Sequence, residues 1–213
     1  MTVDTPASVR PIFISDELRG RIVDGREAPG STITESAVAL QFAVTRPTAK
    51  IAIERLVAEG LLHREAHAAA RVPELGRDDI HDVFVNRAML EAAAAGALAA
   101  TGAVPPDAIA AHRELAQNPD DFARFDIAFH RALVAGQPSA RLARLHGLLM
   151  GEVELCIGQV HAHHLLGAST IAAQHQDVLD AITAGDPELA ESLTRQHIDG
   201  ARDALLAHYD TTH

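Results

Sequence analysis

Asp126 and His130 stand four residues apart in the stretch FDIAFH, so on a helix they share one face. His175, in QHQDVLDAI, and His197, in TRQHI, fall on later segments with helical periodicity. One carboxylate and three imidazoles suit a borderline divalent ion such as zinc, nickel, manganese or iron, with zinc the first choice. Ligands drawn from three helices converge only inside a bundle. The four residues are spread over 72 positions and only one pair is local. Spacing alone therefore favours the plainer reading, in which each histidine is a hydrogen-bonded helix residue.

A second group lies in the first half. Arg46 and Lys50 are four apart near the start of a short helical segment, which begins with Thr45 as a cap and Pro47 near its first turn. In a DNA-reading helix, Arg46 would grip guanine O6 and N7, and Lys50 would reach guanine or phosphate. Thr45 and Thr48, with the free N–H groups of the helix end, would hold phosphates. Spacing alone favours the plainer reading, the solvated face of an ordinary helix, where charged residues four apart are common.

The elements that must position these groups come from the apolar pattern. Ser15 reads as the cap of a helix from Asp16, with Ile14, Leu18, Ile22 and Val23 on one side. Thr34 caps a second short helix, and Phe42-Ala43-Val44 turns the chain into the third, which ends at Gly60. Leu61–Arg64 and Ala70–Val72 read as the two strands of a small wing. Pro73–Arg77 interrupts the pattern. About six helices follow, the first over roughly Asp78–Ala100, with start signals at Asn118-Pro119 and Asp186-Pro187. The expected fold is mainly α: a winged helix-turn-helix over 12–73, a linker at 74–77 and an all-helical antiparallel bundle over 78–209.

The net charge of −11 divides unevenly, −1 over residues 1–74 and −10 over the rest. Any DNA contact must then come from local clustering of charge. No Trp and a single Tyr exclude a stacking platform for single strands. No apolar run is long enough to span a membrane, and the first residues lack a signal-peptide pattern. Cys156, the one cysteine, fits a reducing cytoplasm and reads as a small core residue, as Met89 and Met150 also do.

Residues 12–72 resemble the DNA-binding domain of the GntR family of bacterial regulators. The likeness rests on Pro29-Gly30, Thr34-Glu35, Val44-Thr45-Arg46 and the run Leu56-Val57-Ala58-Glu59-Gly60-Leu61. Residues 78–209 resemble the FCD effector domain of the FadR-type branch, through QHQDVLDAITAGDPELAESLTRQHI and FDIAFHRAL. The resemblance implies DNA contacts at Arg46 and Lys50, and metal ligands at Asp126, His130, His175 and His197. It also implies a small carboxylate effector beside the metal, met by Arg87, whose other reading is an ion pair with Glu91. Three features depart from the family pattern. Lys50 replaces an arginine and loses its bidentate fork. Ser36 stands where arginine is frequent. The wing tip, Glu65 to Ala69, has no glycine. Arg64, and more weakly His67, remain wing candidates. His161, His163 and His164 read as a helix-end cluster rather than a second metal site.

The expectation is a homodimeric transcription regulator, a repressor by the family's common mode, on double-stranded operator DNA. It would have no membrane partner and no enzymatic activity. The rivals are a metal-dependent hydrolase and a DNA-binding protein whose metal is purely structural.

Overall fold

Ile14, Leu18 and Ile22 recur at four-residue intervals, and the first helix, α1 (Pro11–Val23), is buried along that stripe. The structure is a computed structural model that describes residues 11–66 and 68–212; His67 lies outside them. Ser15 is not the cap of α1. Ser15 lies within the described helix, which already includes Pro11, and the buried Ser15 hydroxyl donates to Ile12 O (2.8 Å).

The chain then forms β1 (Thr32–Ile33), α2 (Glu35–Gln41), α3 (Arg46–Ala58) and β2 (Ala70–Arg71). Thr34 Oγ1 accepts from Ala37 N (3.1 Å) and Thr45 Oγ1 from Thr48 N (3.4 Å), so both expected caps are present. The wing differs from expectation. β2 pairs antiparallel with β1, Thr32 opposite Arg71 and Ile33 opposite Ala70, and only His63 of the expected strand 61–64 bridges to Arg71. The reason is local. Leu61 N and Leu62 N both donate to Leu56 O (3.0 and 3.2 Å), so their backbone closes α3, while both side chains are buried in the core.

Ala43, in the turn between α2 and α3, has φ of 52°. The left-handed region costs an L residue about 1–2 kcal/mol, of which glycine would return ~0.4–1 through its freer unfolded chain. Ala43→Gly is therefore expected to stabilise the N-terminal unit by about 0.5–1 kcal/mol, measured as a higher denaturant midpoint at unchanged slope.

Six α-helices follow among the described residues: α4 (Arg77–Ala99), α5 (Pro106–Gln117), α6 (Phe122–Gly136), α7 (Ala140–Ala162), α8 (Ala168–Ala184) and α9 (Pro187–Thr212). The Asn118 signal is displaced. Asn118 Nδ2 donates back to Glu114 O (3.0 Å), and Pro119–Asp121 form a 3-10 turn before α6. At α9 the signal holds, since Asp186 Oδ1 accepts from Leu189 N (3.0 Å). α4 packs chiefly on α9, and a core of Leu98, Phe129, Leu133, Val178, Leu179 and Ile182 joins α4, α6 and α8. Met150 and Cys156 are buried, but Met89 is 51% exposed. Arg87, Ala88, Glu91 and Ala92 take the inward positions of α4 and leave Met89 outside.

Packing divides the chain into two compact units. One is the stretch ending at Leu75 with Leu148–Leu155; the other is Gly76–Gly147 with the residues from Cys156 onward. No described helix is long and apolar enough to cross a membrane.

Candidate functional site

α6 carries Asp126 and His130 on its buried face, α8 carries His175 and α9 carries His197, and all four are at most 4% exposed. One ligand atom from each lies within 4.8 Å of every other, and among the described residues no other such group of three or more occurs. Asp126 Oδ1 is 3.1 Å from His175 Nε2, 3.5 Å from His197 Nε2 and 3.6 Å from His130 Nε2. Phe129 stacks on the His175 ring (3.8 Å between centroids, 9° between planes) and fixes its orientation.

A further set of side chains orients these donors. Glu91 of α4 is 1% exposed. Its Oε1 accepts from Arg87 Nε (3.0 Å) and from His146 Nε2 on α7 (2.9 Å), while its Oε2 lies 2.6 Å from His130 Nδ1. Gln174 Oε1 lies 2.9 Å from His197 Nδ1. Such partners fix the tautomer and direction of a ligating imidazole. Sequence reasoning named Glu91 only as an ion-pair partner of Arg87 and missed His146 and Gln174. Their signals were present: a histidine among the apolar residues early in α7, and a glutamine directly before His175.

The partners expose an electrostatic conflict. The Gln174 amide oxygen bonded to His197 Nδ1, and the Glu91 carboxylate close to His130 Nδ1 at an ion-pair distance without hydrogen-bond alignment, favour a proton on Nδ1 of each ring. Their Nε2 atoms then face each other at 3.0 Å, lone pair against lone pair if both rings are neutral. A positive charge belongs between them, either a proton or a cation reached by all four donors. Asp126 Oδ2 and both ring nitrogens of His175 are buried without a hydrogen-bond partner among the described residues. This donor set fits a divalent ion of the zinc, nickel, manganese or iron class.

The charge states favour a positive charge at this point. Burial disfavours the Asp126 carboxylate, but His130, then His175 and His197, outweigh it and hold its pKa well below the usual range. Burial likewise opposes the Glu91 carboxylate, and Arg87 and His130 overcome it. Burial works against charging His130, yet Glu91 and then Asp126 hold its pKa above the ordinary value despite Arg87. Burial pushes His175 down to about 3 and lowers His197, against the pull of Asp126, which favours the neutral form that can donate a lone pair.

Arg87 is fully buried. Besides its bond to Glu91, its Nη2 lies 3.7 Å from Asp126 Oδ2, and neither Nη atom makes a hydrogen bond among the described residues. The helix-end histidines do not form a metal group. His161 packs edge-on against Phe122 and His163 lies against His208 (4.2 Å between centroids).

In the N-terminal unit, Ala49, Ala52, Ile53 and Leu56 bury one side of α3, and Arg46 and Lys50 lie exposed on another. Lys50 Nζ is 3.5 Å from Glu54 Oε1 with both side chains about half exposed, a pair worth little in water. Thr45 and Thr48 hydroxyls lie 2.9 Å apart at the N-terminus of α3. Arg64 is half-buried, with Nε shielded and without a hydrogen-bond partner among the described residues.

Comparison with known proteins matches residues 13–72 to the model for bacterial regulatory proteins of the gntR family, and residues 82–209 to the FCD domain. The "Probable D-xylose utilization operon transcriptional repressor" of Paenarthrobacter nicotinovorans is 29% identical over 192 residues, covering 87% of this chain and 84% of its own. BphR of Paraburkholderia xenovorans (strain LB400), an uncharacterized HTH-type transcriptional regulator, is 25% identical, covering 92% and 85%. Among solved structures, a structural-genomics GntR protein from Rhodococcus sp. RHA1 superposes with a TM-score of 0.77 at 22% identity, covering 93% of this chain and 98% of that one. E. coli McbR/YncC gives 0.73 at 18% identity, with the same two shares. These two establish the fold, and the matched models establish the lineage: the chain belongs to the gntR family of bacterial regulatory proteins, its helical half being an FCD domain.

Proposed function

We propose that this transcriptional regulator is a metal-dependent, ligand-controlled repressor. Residues 12–73 bind operator DNA, residues 74–77 connect, and residues 78–209 sense the effector. Asp126, His130, His175 and His197 would hold a divalent metal, zinc by first choice. When bound, that ion supplies positive charge and open coordination positions to a small carboxylate effector. The single observation behind this reading is the buried meeting of three imidazole nitrogens and one carboxylate oxygen, two of the nitrogens facing each other at 3.0 Å.

The chain's own residues do the rest. Glu91 and Gln174 hold His130 and His197 in place, and Phe129 holds His175. The free donors of Arg87 suit an effector carboxylate. A coupling of about 1–3 kcal/mol between effector and operator alters DNA affinity ~5–150-fold, enough for a switch. A homodimer would place two α3 helices in successive major grooves about one helical turn apart, acting in the cytoplasm. The test is calorimetric titration of small mono- and dicarboxylates into protein with and without zinc. Binding confined to the zinc-loaded form supports the reading, and equal binding to His175→Ala protein refutes it.

At the reading head, Arg46→Ala is expected to weaken operator binding by about 1–3 kcal/mol, roughly 10–100-fold, and to relax preference at one base pair. Lys50→Ala should lower affinity more evenly across sequences and flatten the dependence on salt. Fluorescence anisotropy at several salt concentrations separates the two.

A further inference from the structure

α3 presents an apolar side chain where a solvated helix would carry a polar one. Ile51 is 55% exposed, whereas Ile53 and Leu56 of the same helix are fully buried. At about 100° per residue, Pro47, Ile51, Glu54 and Ala58 project away from the buried stripe of Ala49, Ala52, Ile53 and Leu56. Arg46 and Lys50 flank them along one edge. Pro47 and Ile51, four residues apart and both exposed, make an uncharged patch at the centre of this face. Glu54 lies beyond it, paired with Lys50.

We propose that Ile51 is a specificity-determining residue that packs against the 5-methyl group of a thymine in the operator. The proposal rests on the reading above that α3 enters the major groove. The base edges of that groove offer hydrogen-bond donors and acceptors, and one apolar group, the thymine methyl. An exposed isoleucine has no use for the former and is matched by the latter. Arg46 and Lys50, on the adjoining edge, supply the polar contacts that fix register. Ile51 then adds a discrimination that neither basic residue provides, thymine against cytosine or uracil at one position of each half-site.

The experiment selects binding sequences from random duplexes and then replaces each thymine of the selected site singly by uracil, which removes only the methyl group. Wild-type protein is expected to lose about fourfold in affinity at one position per half-site, the effect of withdrawing one methyl-sized contact. Ile51→Ala protein should bind thymine and uracil duplexes alike at that position, and Ile51→Val should retain most of the preference. Unchanged melting of both variants by circular dichroism excludes a folding effect. Indifference of the wild type to every replacement, or an unchanged uracil response in Ile51→Ala, overturns the proposal. If Arg46→Ala protein binds as tightly as the wild type, α3 is not the reader and the parent reading falls with it. Sensitivity at Arg46 with indifference to uracil sinks the Ile51 assignment alone. Selection that yields no common sequence overturns both.

Discussion

Stripped of divalent metal by a chelator, the protein is expected to melt about 10 °C below its zinc-loaded form, with Asp126→Ala protein showing a smaller shift between the two states. An ion held at a thousandfold excess over its dissociation constant stabilises the folded state by about 4 kcal/mol. For a unit of this size, each kcal/mol shifts the midpoint by ~2–4 °C. In the metal-free site the positive charge between His130 and His197, whose Nε2 atoms are 3.0 Å apart, falls to a single proton. Asp126 supplies the only carboxylate among the four donors and reaches all three rings within 3.6 Å, so its loss leaves neutral imidazoles to hold a dication. Scanning calorimetry with and without zinc reads both results. A midpoint that ignores chelator in the wild type would remove the metal from the account.

Glu91→Gln is expected to cost about 3 kcal/mol of stability and to weaken metal binding ~10–100-fold. Breaking one partner of a buried ion pair costs ~3–5 kcal/mol because the other charge stays buried without compensation. The lower end applies here, since Asp126 Oδ2 remains 3.7 Å from Arg87 Nη2. The metal effect has a separate origin. Glu91 Oε2 faces His130 Nδ1, and a ligating imidazole that loses such a partner loses orientation and basicity. The check is a double-mutant cycle on Arg87→Met and Glu91→Gln by urea unfolding, alongside zinc titration of each protein. Coupling of about 2 kcal/mol or more is expected, and additive effects would mean that the pair contributes nothing.

The sequence carried much of this fold and rather less of the site. Thr34, Thr45 and Asp186 announce their helices because a cap is a local event, complete within four residues. β1 was not legible. A two-residue strand has no periodicity of its own, and its pairing with Ala70 and Arg71 is decided across the intervening helices. Ser15 misled because a serine inside a helix can bond back to the preceding turn, as its hydroxyl does to Ile12 O, and the sequence alone does not separate that from a cap. The convergence of Asp126, His130, His175 and His197 was visible only through family resemblance, since nothing in their scattered spacing says that three helices aim at one point. The network behind them was hidden for another reason. Arg87 and Glu91, four apart on a helix, have the spacing of an ordinary surface pair, and charged residues are rarely fully buried. Met89 misled in the opposite sense, an apolar side chain left outside because charged ones took the inward positions.

One carboxylate, Glu91, takes donors or close neighbours from three helices: Arg87 on its own α4, His130 on α6 and His146 on α7. A circuit of that kind constrains descent as well as folding. Exchange of any one member strands a charged or polar group in the interior, at a penalty comparable with much of the stability of a domain. Across lineages these four positions should therefore change as a block or not at all, and a descendant that abandons the glutamate should also have replaced its arginine.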